Sequence, residues 1–401
     1  MIAGFAKETI TPSIGLPMAG YVGLRKSTGV LDDLHVRCIY LKQEEEVFLL
    51  QYDLLYVDKI LTDQLCKRIS STFSMKENHV IINAIHTHSG PAQILDKSGI
   101  NQRLAYIDGD YDEELVSFLL DKGMLAARRA FDDRKEAELS FGTGKYHDIG
   151  TNRNQKDKQI DDMLSVLELS QYQGTRALIF AYACHPTIFH EENTCYSCDL
   201  LASAFELLEQ EVEVAMFYNG ACGDVSTRFT KRSSSKEEAK RLGSLLADHV
   251  KEVQEHLCTV EETLHVLAAT YTCKTRCYPE QMENFYNSCH DAHEEELLHL
   301  YEQMAKSLRN QTLELPVRVL MLGSLRYVYV PVELFSSLSL RLKQLWKDHE
   351  VILVAYAMDY FSYMPDEAAY EEQPIGFEAV ISPFAKGCGE RFIEAIADQI
   401  Q

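Results

Sequence analysis

The sequence predicts an α/β protein: a mixed central β-sheet or sheets flanked by helices, with the active site at the strand carboxyl ends. Two observations predict it. Short apolar, β-branched runs recur along the chain and end in polar residues able to bind a ligand. Between them lie longer stretches with apolar residues at helical spacing. In open α/β sheets the ligand crevice lies beyond the carboxyl ends of the strands.

Taken in order, the run from Val47 to Tyr52 reads as a strand ending at Asp53. That acid is expected either to support the site from outside or to cap a helix. Val80 to Ile85 is a buried strand running into His86-Thr87-His88-Ser89-Gly90-Pro91, where Gly-Pro makes the turn. Alternation on the last pleat points both imidazoles to one side. A helix follows over 112–131, with Leu115, Phe118, Leu119 and Leu125 on its apolar face. The polar stretch 145–158 reads as a long loop delivering Arg153. Arg176 to Cys184 is a strand ending in His185-Pro186-Thr187. Val212 to Tyr218 is another, leading to the glycine-rich turn Asn219 to Ser226 and then a helix over 236–256. Leu325 to Pro331 ends at Glu333, just before a helix over 334–346. Glu350 to Tyr356 leads to Asp359, Tyr360 and Tyr363. His, His, Glu and Tyr drawn from different strand ends can close around one cation, and zinc favours imidazole nitrogen.

Composition bounds the classes. With 401 residues and 46% hydrophobic content the chain can bury a sizeable core. It shows no linker, low-complexity stretch or internal repeat, so a single domain over 1–401 is expected, with a helical insertion around 277–310. A net charge of −22 argues against nucleic acid and against an anionic membrane surface. No apolar run reaches the ~18–20 residues of an integral membrane segment. The N-terminus shows no signal-peptide pattern, and eleven cysteines, an odd number, read as free thiols. A cytoplasmic location is expected.

A family resemblance rests on Gly4-Phe5-Ala6-Lys7-Glu8-Thr9-Ile10-Thr11-Pro12, Met18-Ala19-Gly20-Tyr21 and His86-Thr87-His88-Ser89-Gly90-Pro91. It continues through Asn152-Arg153, His185-Pro186-Thr187, Gly223-Asp224-Val225-Ser226, Pro331-Val332-Glu333 and Tyr363 with Pro365-Asp366-Glu367. These pieces, in this order, resemble the catalytic N-terminal domain of the neutral/alkaline non-lysosomal ceramidases. The resemblance implies a zinc-dependent amide hydrolase with one zinc per chain, acting on a small-molecule N-acyl substrate. By position it implies His86, His185, Glu333 and Tyr363 as metal ligands. It implies His88 and Arg153 as substrate-positioning or oxyanion-side groups, Tyr363 as a donor to the developing oxyanion and Ser226 as the catalytic serine, either nucleophile or orienting group. Asp199 falls where the family has an acid and is expected to support the ligands from outside.

The departures are also specific. Pro331-Val332-Glu333 replaces the family's Pro-Gly-Glu, and Thr227-Arg228 follow Ser226 in place of Pro-Asn. Phe377 stands where the family has a second tyrosine, which removes a hydroxyl donor near the reacting carbonyl. The family's C-terminal immunoglobulin-like domain is not expected in this sequence. The strong negative charge favours a smaller or more soluble N-acyl compound over a lipid taken from a membrane.

Several residues carry weaker alternatives. The cluster Arg228, Lys231 and Arg232 reads as a solvated loop, or else as a site for an anionic substrate group. Cys195-x-x-Cys198 reads as core thiols rather than a redox pair. Cys273, Cys277, Cys289, His290 and His293 are only loosely spaced like a zinc knuckle. His190 is expected on the outgoing loop after His185. An ester or peptide hydrolase on the same metal site, or a non-catalytic binding descendant, remains the alternative to an amidohydrolase.

Overall fold

Apolar runs of seven or eight residues pair early in the chain. β1 (Ile2–Thr9) and β2 (His35–Lys42) are antiparallel over their whole length, and β2 pairs antiparallel with β3 (Glu46–Tyr52). β4 (Val80–Ala84) is buried at every residue and joins β3 in parallel, as a strand covered on both faces should. The chain is described here by a computed structural model covering residues 1–21, 23, 25–95, 108–172, 174–276, 311–372 and 376–399.

β5 (Lys135–Lys145), β6 (Met163–Gln171), β7 (Arg176–Tyr182) and β8 (Val214–Asn219) extend the sheet from the other side of β1. The order is β8-β7-β6-β5-β1-β2-β3-β4, with Cys258–Thr259 alongside β5. Only two residue pairs join β1 to β5, Ile2 with Glu136 and Ala3 with Lys135. At that narrow junction the two halves can turn towards each other. The amide of Gln51 on β3 donates to Phe217 O on β8, and Asn219 Nδ2 lies 3.2 Å from Ile85 O. A second sheet holds β9 (Leu264–Lys274), β10 (Thr312–Leu322), β11 (Leu325–Tyr329) and β12 (Glu350–Val354), with β11 and β12 parallel.

Helices cover these sheets: α1 (Lys59–Phe73), α2 (Glu113–Asp132), α3 (Leu201–Leu208), α4 (Lys236–Gln254), α5 (Ser336–Leu345) and α6 (Cys388–Gln399). Their starts follow from side-chain caps. Asp58, Asp112 and Ser235 each accept from free backbone N–H groups of the first turn. α2 buries Leu115 and Leu119, but Leu125 is exposed, so the apolar face is narrower than its sequence suggests. The expected helix over 334–346 begins two residues later, because Glu333–Leu334 pairs in parallel with Tyr363–Met364. The expected insertion at 277–310 lies outside the described residues. No described helix is long and apolar enough to cross a membrane.

What positions the site is the meeting of parallel strand ends. Ala355 N donates to Asn219 O, Ala84 N to Tyr356 O and Met358 N to Ile82 O, so the ends of β4, β8 and β12 are tied by main-chain hydrogen bonds. β7 ends beside β8, where Gly220 N donates to Tyr182 O. All five strand ends anticipated from the sequence therefore feed one region.

Candidate metal centre and active site

The two histidines after β4 converge for a different reason than strand alternation. β4 stops at Ala84, and His86 sits at φ +70°, a left-handed conformation that costs energy for a non-glycine residue. The turn is held by His86 N and Thr87 N, which both donate to Leu54 O. Thr87 and Ser197 add a side-chain tie of 2.6 Å. Strained backbone, rather than a last pleat, aims the rings.

Each imidazole is then oriented by a carbonyl from another segment. His86 Nδ1 is 2.8 Å from Leu55 O, His88 Nδ1 is 2.9 Å from Gly20 O, and His185 Nδ1 is 2.6 Å from Cys222 O. A carbonyl oxygen only accepts, so each Nδ1 carries the proton and each Nε2 presents a lone pair. Those lone pairs face one another. His86 Nε2 and His88 Nε2 are 3.2 Å apart, and the ligand nitrogens of His86, His88 and His185 all lie within 4.8 Å. Glu333 brings Oε2 to 3.1 Å from His185 Nε2 and 3.4 Å from His86 Nε2. Tyr363 Oη stands 3.5 Å from His185 Nε2.

Burial and close neighbours disfavour a charge on the His88 and His185 rings and favour one on Glu333. Burial pushes the His88 imidazole well below its ordinary value, and His86 and His185 beside it push it further. Burial, then the charge of Arg153, lowers His185 to about 4. Burial alone would raise the Glu333 carboxyl, but His86 and His185 outweigh it and hold the group well below the usual carboxylate range. The Tyr363 hydroxyl is pushed up by burial and by Glu333, so it keeps its proton.

Two glycines make this closeness feasible. Gly20 has φ +105°, and a Cβ there would lie 2.8 Å from the His88 ring. Gly223 opens the Gly-Asp-Val-Ser turn against the Glu333 strand; a Cβ there would meet Glu333 O at 2.6 Å. Downstream, Asp224 accepts from Asn152 Nδ2 at 2.7 Å and Ser336 N at 2.8 Å, locking the turn to the Arg153 loop and to α5.

These groups line a cavity of about 280 Å³. His86, His88, Glu333, Tyr363 and Arg153 form its polar wall, and Leu55, Phe377 and Ile381 its apolar wall. Arg153 Nε donates to Glu378 Oε1 at 2.6 Å, while its Nη2 is buried without a hydrogen-bond partner among the described residues. Ser226 bridges to His185 through the main chain, and its Oγ accepts from Arg228 N at 3.2 Å. Among the described residues it is not part of the cavity wall.

The description "Neutral/alkaline non-lysosomal ceramidase, N-terminal" fits residues 2–240. The chain belongs to the neutral/alkaline non-lysosomal ceramidase family. Its fold is similar to the crystal structure of neutral ceramidase from Pseudomonas aeruginosa, with a TM-score of 0.83 at 17% identity, covering 99% of this chain and 73% of that one. A ceramidase complexed with C2 is similar at a TM-score of 0.81 and 16% identity, covering 99% and 74%. Among curated proteins none matches at a significant level.

Elsewhere in this ceramidase-family chain, the polar residues near the site hold loops and strands together. Asp53 neither caps a helix nor reaches the histidines. It forms a buried ion pair with Arg37 at 2.7 Å and accepts from His35 N. Asp199 accepts from Ile188 N, Phe189 N and Leu200 N, which holds the loop after His185; burial raises its carboxyl to about 6. His190 lies on the loop after His185, as expected, and that loop brings it to the same cavity, 2.9 Å from Lys231 Nζ. Lys231 is engaged with Thr187 O and Ile188 O, and Arg228 with Arg153 O, so the basic cluster ties loops together. Cys195 and Cys198 are free thiols, with Cys198 Sγ 3.2 Å from Asp53. Of the loose knuckle only Cys273 is described, and it is a free thiol. Phe377 does stand beside Tyr363, ring centroids 5.9 Å apart.

Sequence reasoning gave no role to Glu378, although it adjoins Phe377, nor to Tyr356 beyond ending a strand. Tyr356 stacks on His86 at 3.9 Å, and its hydroxyl is 3.3 Å from Glu333 Oε2. The recurrence of tyrosine at 356, 360 and 363 after one strand was the available signal.

Proposed function

We propose that this chain is a zinc-dependent amidohydrolase of the neutral ceramidase type, cleaving the amide bond of an N-acyl compound, ceramide-like or more soluble. One observation carries the reading: the Nε2 atoms of three imidazoles, each with its Nδ1 against a carbonyl oxygen, converge with Glu333 Oε2. Such a set of acceptors is repulsive by itself and favourable around a cation. His86, His185, Glu333 and Tyr363 would hold one ion per chain. When bound, zinc would lower the pKa of a water towards neutrality and polarise the scissile carbonyl.

The chain's own residues supply the remainder. His88, neutral and aimed by Gly20 O, takes a proton at Nε2 from the attacking water and returns it to the leaving amine nitrogen as the C–N bond breaks. Arg153 keeps its charge beside Glu378 and turns the buried Nη2 towards the developing oxyanion. Tyr363 keeps its hydroxyl proton and donates it in a hydrogen bond on the same side. Ser226 acts as a positioning residue, holding the His185 strand and the Arg228 turn in register. Leu55, Phe377 and Ile381 give the acyl group an apolar wall.

The test is metal content by elemental analysis on wild type, His86→Ala and Glu333→Ala, followed by N-acyl amides against matched esters. About one zinc in wild type, lost in both variants, with amide turnover exceeding ester turnover, is the expected result. Metal-free wild type would overturn the metallohydrolase reading, and preference for esters would overturn the amide.

A further inference from the structure

Glu333 presents its two oxygens to different partners. Oε2 faces the imidazoles, 3.1 Å from His185 Nε2 and 3.4 Å from His86 Nε2. Oε1 accepts a hydrogen bond from the Tyr360 hydroxyl. A carboxylate can rotate about its Cγ–Cδ bond and offer a cation one oxygen or both. Each oxygen carries a phenol, Tyr356 at 3.3 Å from Oε2 and Tyr360 closer on Oε1, and the tighter contact on Oε1 restricts that choice.

Tyr360 is fixed in turn. Its side chain is buried, and its ring stacks on Tyr56 with centroids 4.6 Å apart and planes 24° from parallel. The Tyr56 hydroxyl donates to Asp108 at 2.6 Å, and Asp108 also accepts from Gln93 N and Leu95 N. On the main chain, Phe361 N donates to Pro331 O and Glu333 N donates to Ser362 O at 3.0 Å. The Tyr360 segment and the Glu333 segment are thus laced together on both sides of the hydroxyl–carboxylate contact.

We infer that Tyr360 is a positioning residue that commits Glu333 to one-oxygen ligation, so that a coordination position stays free for water. The inference rests on the metal-site reading above. Groups that orient a ligating carboxylate typically govern metal affinity by about 10- to 100-fold. Removing the Tyr360 hydroxyl releases Oε1 and changes both the affinity and the coordination number at the ion.

The experiment loads the full chain with Co2+, whose visible absorption band reports coordination number and geometry, and measures affinity by chelator competition. It compares wild type, Tyr360→Phe, Tyr52→Phe and Glu333→Ala. Tyr52→Phe removes a buried hydroxyl that donates to Leu119 O, outside the Tyr56–Tyr360–Glu333 chain, so it controls for a purely structural loss. The expected result is one Co2+ in wild type and Tyr52→Phe with the same band, and none in Glu333→Ala. Tyr360→Phe is expected to bind about 10- to 100-fold more weakly with an altered band. Unchanged affinity and band in Tyr360→Phe, with wild type loaded, would overturn the inference and leave the metal site standing. A wild type that takes up no Co2+ or zinc would overturn both.

Discussion

Gly20→Ala is the sharpest test of how the site is assembled. Gly20 lies at φ +105°, where an L side chain is strained by about 1–3 kcal/mol. The new Cβ would stand 2.8 Å from His88 Cβ, Cγ and Nδ1, closer than unbonded carbon tolerates, and one of the two must shift. The same glycine's carbonyl accepts from His88 Nδ1 at 2.9 Å, so any shift also weakens a hydrogen bond worth about 1 kcal/mol. Together these give about 2–4 kcal/mol of lost stability. They also free the His88 ring to turn, which removes the acceptor expected at Nε2. Urea unfolding of the metal-free chain reads the first quantity, and kcat on an N-acyl amide the second. Stability within about 0.5 kcal/mol of wild type, with kcat unchanged, would refute the argument that this glycine is required by the approach of His88.

Four further outcomes follow from particular contacts. Glu378→Gln leaves the Arg153 guanidinium without its charged partner at 2.6 Å, and a displacement of about 1 Å there should lower kcat about 100-fold; a steady-state assay checks it. Asp53→Asn breaks the buried pair with Arg37 and should cost about 3–5 kcal/mol in urea unfolding while zinc content stays at wild-type level. Asp359 is raised to about 7 by burial, so the folded chain keeps that proton when the unfolded chain, near 3.8, has lost it. Wild type therefore loses stability as pH rises from about 4 to 7, and Asp359→Asn, which retains an acceptor for Tyr360 N, should gain up to about 4 kcal/mol over wild type across that window. Chelation should lower the thermal midpoint by the equivalent of about 4 kcal/mol if free zinc stood 1,000-fold above its Kd, read by calorimetry with and without chelator.

Much of this was legible in sequence because the relevant signals are local. β4, β7, β8, β11 and β12 are each a continuous apolar run, and each announces its end with a polar residue. His86, His185, Glu333 and Tyr363 were therefore readable as strand-end groups, and they do meet. What was not legible depends on distance in sequence. Asp53 looked like every other acid at a strand end, and only the packing of β2 against β3 shows that Arg37 claims it. His190 follows a loop whose path is set by Asp199, and no local pattern reveals where such a path returns. The strained turn at His86 was hidden as well, because a positive φ at a histidine leaves no mark in composition.

The orienting carbonyls explain why the site belongs to the fold rather than to a loop. Leu55 O follows β3, Gly20 O comes from the N-terminal segment, and Cys222 O lies in the turn after β8. Each fixes one imidazole through a main-chain atom that no substitution of its own side chain removes. The apolar wall, Phe377 included, can therefore change while the carbonyls that aim the imidazoles stay in place. Displacing them requires moving backbone, which happens at the glycines that let segments touch and at the ladder joining Glu333–Leu334 to Tyr363–Met364. Substrate preference and metal geometry thus rest on different parts of the chain. A variant such as Phe377→Tyr should alter turnover among N-acyl substrates without altering metal affinity; a change in both would mean that wall and ligand set are coupled through Tyr363.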